Sequence, residues 1–497
     1  MSFDYLTAMI FLPVAGALLI AFLPGLSDRV IKRLAAIFSF VPLALAILLF
    51  CQFDRSLGAA GVIQFEEKLS WIPAINAYYH LGVDGISLPM VLLTTLLGFL
   101  VILISWKIDL RPREYFAWLL LLETSILGVF CSLDLLLFFL FWEIEVIPMY
   151  FLISIWGTGR KEYSAIKYVI YTLFGSAVML AGILCLYFTT GSLSMVDIAQ
   201  TGLASFRVVV PTVAIFFLLF TGFAVKLPVF PLHTWLPDAH TDAPTAVSVV
   251  LAGALLKMGG YGMIRLCVTV FPDVARQYAP LLVALAVVNV LYGAAITIRQ
   301  TDLKRLIAYS SISHMGYVLL GIFALGRVSM VGAVLQMFSH GVITGLLFAV
   351  AGLVMHNAGE RDLRKLGGLA RQMPVIAVVF SIAGLGALGL PTTSGFAAEF
   401  LVFVGSFSST IVSGIHVYTI LAVLGVVIAA GYILWMIQRV FYGPVLEKFN
   451  GVMDADMLEK VYMFIFVAAI MLVGIYPAIL TDVIKLGISP IMGLLGG

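Results

Sequence analysis

Runs of about twenty apolar residues, separated by short polar stretches, recur from one end of the chain to the other. A helix rises 1.5 Å per residue and needs about 20 residues to cross the hydrocarbon core of a bilayer. Segments near 3–24, 31–51, 84–105, 114–131, 134–156, 164–189 and 209–229 meet that length, as do 244–269, 279–298, 303–325, 329–356, 374–408, 414–441 and 460–484. The pattern predicts an all-α polytopic membrane protein of about fourteen spans. The even count places both termini on one side. No basic residue precedes the first run in MSFDYLT, so it reads as a retained span rather than a cleaved signal peptide.

Two spans are interrupted. The seventh ends at Lys226, is broken by Pro228 and Pro231, and leads into a polar run with His233, Asp238, His240 and Asp242. The twelfth is broken by GLPTTSGFAAEF, residues 389–400. Spans and breaks from about 114–270 recur over about 279–441, at an offset near 165 residues. Each copy holds five spans, an odd number, so the two copies have opposite orientation, the inverted-repeat plan of secondary transporters. The organisation expected is an N-terminal three-helix segment (1–113), a first five-helix repeat forming a half-channel (114–270), a second, inverted repeat (279–441) and a C-terminal helix (442–497).

Charge fixes the sidedness. Loops after odd-numbered spans carry nineteen Lys and Arg, whereas loops after even-numbered spans carry six: Arg55, Lys68, Arg207, Arg276, Arg327 and Lys485. By the positive-inside rule both termini face outward and the polar run after Lys226 is cytoplasmic. Outside the membrane only 52–82 is long enough to hold structure, and 357–373 and 443–459 are charged linkers. Composition agrees with this picture: the 497 residues are 62% hydrophobic and 11% charged, with mean hydropathy +1.12. A net charge of +2 offers no nucleic-acid footprint. Cys51, Cys131, Cys185 and Cys267 are too dispersed for a disulfide framework, zinc site or iron–sulfur cluster. No phosphate-cradling glycine motif is present. Any chemistry takes place inside the membrane.

Ionisable groups at membrane depth are expensive and mark sites of function. Glu143 and Glu145 lie mid-span in FLFWEIEVIPMY, about 200° apart around a helix, so only one can face a given partner. The alternative for either is a fixed salt bridge or a protonated, hydrogen-bonded carboxyl. Lys226 is too deep to snorkel, and Lys257, between SVVLAGALL and MGGYGMI, is deeper still; Arg265 reads as an interfacial anchor. His314 and His340 are mid-span in helices ten and eleven near serines, and each could equally be a satisfied structural histidine. Glu399 follows the second break, and Glu123 is a further mid-span acid. The row Glu143, Lys226, Lys257, His314, His340, Glu399 is spread along the bundle and suits protons better than a single substrate pocket. Burial disfavours a charged lysine while a nearby carboxylate favours it. An acid that approaches or withdraws would thus switch whether Lys226 holds its proton.

WEIEVIPMYFLISIWG, KLPVFPLHTWLPDAHTDAPTAVSVVLAGALLK, DLKRLIAYSSISHMGYVLLGI and LPTTSGFAAEFLVFVGSF together resemble the antiporter-like membrane subunits of respiratory complex I, of the chain M (subunit 4) type. The resemblance covers nearly the whole chain and implies fourteen helices, inverted five-helix repeats and broken helices seven and twelve. It implies a proton-translocating subunit of an NAD(P)H- or ferredoxin–quinone oxidoreductase, in a bacterial inner membrane or a photosynthetic membrane. Glu143 and Lys226 would be the switch pair, Lys257, His314 and His340 the relay, and Glu399 the terminal group. Sister chains and the Mrp sodium/proton antiporter chains usually carry lysine at that last position; the second acid, Glu145, resembles the ELELVPVY form of photosynthetic relatives. No cofactor is expected in this chain; quinone, flavin and iron–sulfur clusters belong to other subunits. The partners implied are those membrane subunits and the lipid bilayer. The alternative is a subunit of an Mrp-type cation/proton antiporter.

Overall fold

A computed structural model of the chain describes residues 4–203 and 210–496; Arg207, counted above among the outward basic residues, lies outside them. Twelve helices of the described residues are long and apolar enough to cross a membrane. They are spans 1 (Tyr5–Phe22), 2 (Asp28–Gln52), 3 (Ser87–Lys107), 4 (Pro112–Cys131), 5 (Leu135–Trp156), 6 (Lys161–Thr190), 8 (Thr245–Val268), 9 (Pro272–Ile298), 10 (Leu303–Phe323), 11 (Arg327–Ala358), 13 (Ile415–Phe441) and 14 (Met457–Ile475). The remaining two are broken. Span 7 is Thr212–Lys226 followed, after a turn, by Trp235–Asp242, and span 12 is Pro374–Ala387 followed by Ser394–Phe407.

Contacts between loops fix the two faces of the bundle. On one face, residues 52–86 form an antiparallel hairpin, β1 (Gln64–Ile72) with β2 (Ala77–Val83). Leu81 of the hairpin bridges Ser132 after span 4, and Asp134 bridges Ser194 after span 6. The Tyr78 N–H donates to Asp134 Oδ2 at 3.0 Å, and Arg265 near the end of span 8 pairs with Asp84. On the opposite face Lys107 pairs with Glu459 at 2.7 Å, the Thr158 N–H donates to the Asp242 carbonyl at 2.8 Å, and Arg361 pairs with Asp302 at 2.8 Å. Every one of these contacts joins loops of equal parity. Span 4 therefore starts on one face and span 9 on the other, and the two five-helix repeats are inverted.

Apolar composition does not distinguish inner from outer helices, because lipid accepts what a protein core accepts. Small residues do. Span 8 is wholly buried, and spans 10 and 11 are nearly so, whereas spans 1, 2, 6, 13 and 14 turn much of their surface outward. A Cβ on Gly341 would stand 2.7 Å from the Gly253 carbonyl oxygen, and one on Gly259 would stand 2.7 Å from both Leu227 N and Phe223 O. Glycine at these positions lets spans 8 and 11, and spans 7 and 8, touch backbone to backbone.

Two boundaries differ from the sequence reading. The final segment is two helices rather than one, because Tyr476 is non-helical (φ −129°, ψ 72°) and the next residue is Pro477; the residue before a proline is pushed out of the α region. Ala478–Leu494 then lies on the hairpin face, where Gly85 and Gly487 are in close contact. Span 5 is also interrupted, its helices running Leu135–Ile144 and Val146–Trp156 with Glu145 between them. Pro148 supplies no N–H to the Ile144 carbonyl, so the helical ladder fails at that point.

In a Cys51→Ser background, a membrane-impermeant maleimide is expected to label Leu69→Cys, on the hairpin, in right-side-out vesicles and Arg364→Cys only in inverted ones. Labelling of both from the same side would contradict the inverted repeats.

Candidate functional site

The helix ending at Lys226 stops because Pro228 and Pro231 have no N–H for the Ala224 and Leu227 carbonyls. The exposed backbone groups find other partners. Trp235 Nε1 donates to the Val225 carbonyl at 2.9 Å. The Phe230 N–H donates to Asn289 Oδ1 at 2.9 Å, and Asn289 Nδ2 donates to the Ile312 carbonyl at 2.9 Å. A single amide in span 9 thus ties the first break to span 10, two residues before His314.

Lys226 is 1% exposed and its Nζ makes an ion pair with the Glu145 carboxylate, which is fully buried. Tyr168 of span 6 donates its hydroxyl to the other Glu145 oxygen at 2.5 Å and stands 3.3 Å from Nζ. The rings of Trp142 and Tyr168 face the ammonium at 5.6 and 5.4 Å, a cation–π arrangement that adds to the pair. The resemblance implies Glu143 for this partnership, whereas the carboxylate in contact with Lys226 is that of Glu145. Glu145 points inward, and Glu143 falls on the face of Leu140 and Ile147, which are 37% and 53% exposed. Glu143 is half-buried, and its Oε1 has no hydrogen-bond partner. That one acid only could meet Lys226 was legible from the helical period. Which one could not be read, because the surrounding residues are apolar on every side.

Span 8 carries two π-helical turns, Leu251–Leu255 and Met263–Val268. Such turns release carbonyls from the regular ladder and concentrate at functional sites. Lys257, just after the first, bonds its Nζ to the Ala252 carbonyl and lies 2.8 Å from His340 Nδ1 of span 11. His340 Nε2 has no partner, and its ring centroid is 5.6 Å from that of His314. His314 Nδ1 is 2.7 Å from the Ser310 carbonyl and Nε2 is 2.9 Å from the Ala387 carbonyl. The Ala387 oxygen is free for this because its i+4 residue is Pro391. The ring satisfies both carbonyls only when both nitrogens carry protons. Glu399 Oε1 is 3.6 Å from His314 Nε2. His314, Gln336, Ser339, His340, Thr344 and Glu399 line a cavity of about 10 Å³, close to the least that holds one water. The second break is strained: Thr392 has φ +80° and Gly389 φ +76°, a region that a β-branched residue avoids.

The structure therefore brings together Lys226 with Glu145, and Lys257 with His340, His314 and Glu399. It does not join the two groups: among the described residues no hydrogen bond links Lys226 to Lys257. Glu123 stands apart, accepting from Ser39 at 2.7 Å between spans 2 and 4. His240 is fully buried and stacks on Phe348 at 4.6 Å; His233 is also buried, against Tyr292. Tyr168 and Asn289 escaped the sequence reading, since a neutral polar residue in an apolar helix gives no sign of whom it meets.

The family model describing the transmembrane part of NADH:quinone oxidoreductase and Mrp antiporter subunits matches residues 132–425. The chain belongs to this family. It is 42% identical over 485 residues to NAD(P)H-quinone oxidoreductase chain 4 1 of Synechococcus elongatus, covering 97% of this chain and 90% of that one. It is 39% identical to NADH-quinone oxidoreductase subunit M of Rhodobacter capsulatus, covering 97% and 95%. Among solved structures, a chain of respiratory complex I from Thermus thermophilus matches with a TM-score of 0.87 at 28% identity, over 99% of this chain and all of that one.

Removing one partner of a buried ion pair strands the other charge and costs about 3–5 kcal/mol. Glu145→Ala is expected to lose that much stability, and Glu143→Ala less than about 1 kcal/mol, read from the thermal unfolding midpoint of the purified chain. A larger loss for Glu143→Ala would put the counter-ion of Lys226 at position 143.

Proposed function

We propose that the chain is a proton-translocating membrane subunit of a complex I-type quinone oxidoreductase, in which quinone reduction elsewhere in the assembly drives protons across this bundle. The observation that carries the reading is the row of buried titratable side chains across the centre of two inverted repeats. Its family membership and the high coverage of its quinone-oxidoreductase relatives support the same conclusion.

In this reading Glu145 and Lys226 are the switch pair of the first half-channel, residues 114–270. When the carboxylate is close, the ammonium is held. When the acid withdraws or takes up a proton, Lys226 releases its own towards Lys257. Lys257, His340 and His314 form the relay, with Glu399 as terminal acceptor in the second half-channel, residues 279–441. Glu143, half-buried on the other face of span 5 with no hydrogen-bond partner on Oε1, is left to act towards a neighbouring chain. Flavin, iron–sulfur clusters and the quinone site are held by partner subunits, and the outer helices contact those subunits and lipid. The electron donor is set by those other chains.

A second reading, an Mrp-type antiporter subunit, is kept because the matched family spans both. Glu399 weighs against it, since the resemblance associates lysine at that position with Mrp chains.

The test uses the assembled complex in sealed vesicles. Lys226→Ala and Glu399→Gln are each expected to lower proton transport by about tenfold or more, the scale of one positioned proton-transfer group. Sodium should leave transport unchanged. Sodium-dependent proton exchange without an electron donor would establish the antiporter reading instead, and intact pumping in both variants would reduce the row to structural pairing.

A further inference from the structure

A groove of about 450 Å³ opens on the outer surface between spans 1 and 4, inside the roughly 300–1,000 Å³ range of small-ligand sites. Its walls are Val14, Leu18 and Ala21 of span 1 with Ala117, Trp118 and Leu121 of span 4. The alanines leave the space. The Trp118 ring is held in place by stacking on Phe151, with centroids 4.9 Å apart and planes 16° from parallel. No part of the proton row reaches this groove.

Its mouth is charged. Arg113 and Glu114, in the first turn of span 4, complete the lining. Glu114 is already neutralised, because Arg111 Nε donates to its Oε1 at 3.0 Å. Among the described residues Arg113 makes no hydrogen bond or ion pair. One unpaired guanidinium therefore stands at the end of an apolar channel, on the face where basic residues accumulate. From Arg113 to Leu121 is eight residues, about 12 Å of helix, so the groove runs from headgroup level into the acyl region. Trp118, partway down, is of a kind enriched at membrane interfaces.

We infer that this groove is a binding site for one glycerophospholipid of the cytoplasmic leaflet, its phosphodiester on Arg113 and one acyl chain between spans 1 and 4. Guanidinium forks bind phosphate oxygens with two parallel hydrogen bonds, and a phosphate is the anion present in quantity at this depth. Charge complementarity favours a lipid over a helix from another subunit. An apolar helix would fill the walls but leave the arginine unpaired.

The experiment is native mass spectrometry of the delipidated complex titrated with phosphatidylglycerol, alongside diacylglycerol of the same chains. Wild type should retain one phosphatidylglycerol more than Ala117→Trp, whose side chain fills the groove. Arg113→Gln should bind that lipid about fivefold more weakly, the contribution of one basic residue near an anionic surface. Diacylglycerol should be retained no better by wild type than by Arg113→Gln. Equal phosphatidylglycerol binding by all three proteins would overturn the site. So would a photo-crosslinking residue in place of Leu18 that captures a neighbouring protein chain instead of lipid.

Discussion

The cost of burying charge in a bundle surrounded by lipid governs this structure. Lys226 has almost no exposure, and the effective penalty for taking an ammonium out of water is several kcal/mol even after relaxation. Four features offset it: the Glu145 carboxylate, the Tyr168 hydroxyl that orients that carboxylate, and the faces of two aromatic rings. Glu145 and Trp142 come from span 5 and Tyr168 from span 6, so the pair holds spans 5, 6 and 7 in one register. The interruption of span 5 is part of the same solution. Pro148 removes the N–H that would bond the Ile144 carbonyl, and the helical period puts one acid inward and the other on the outer face.

The other irregularities share this logic. A proline four residues after a carbonyl, or a π turn around it, withdraws the normal N–H partner and leaves an acceptor inside the membrane. Three acceptors near the row are occupied by side chains. Val225 is bonded by the Trp235 indole, Ala252 by Lys257, and Ala387 by His314. In lipid an unpaired carbonyl costs several kcal/mol, so a break is affordable only where a side chain arrives to meet it. Two of the three side chains, Lys257 and His314, are titratable. This explains why helix breaks and protonatable groups coincide along the chain, a link that neither feature reveals alone.

The number of spans, their inversion and the two broken helices were legible because they depend on quantities a sequence carries directly: run length, prolines and the parity of basic loops. The bridges from the hairpin to the loop after span 4, and from that loop to the one after span 6, put loops of equal parity on one face. The depth of Lys226, Lys257, His314, His340 and Glu399 was legible for the same reason. Facing was not. Choosing between Glu143 and Glu145 needs the rotation of one helix about its axis, and in a soluble protein the polar face would reveal it. Here lipid and protein interior select the same apolar residues, so the periodic signal vanishes. The interruption of span 5 was not read from the sequence, which predicts one uninterrupted helix over 134–156. Asn289 and Tyr168 were hidden more completely, since their importance lies only in whom they meet.

The separation between Lys226 and Lys257 fits the requirement placed on any pump. An unbroken proton path across the bundle would dissipate the gradient, since a charge moving through 100 mV releases about 2.3 kcal/mol. Spans 7 and 8 touch between the two lysines through Gly259, whose backbone lies against Phe223 and Leu227 with no room for even a methyl group. That contact is close-packed backbone, so in the proposed pump a proton crosses there only when water or a moving side chain bridges the interval. The ion pair with Glu145 makes such a crossing unfavourable while it lasts, because the lysine holds its proton. Loosening the pair removes that hold without moving a helix. Control in the proposed pump therefore rests on one carboxylate, and the close packing at Gly259 keeps the first half-channel separate from the relay until that carboxylate lets go.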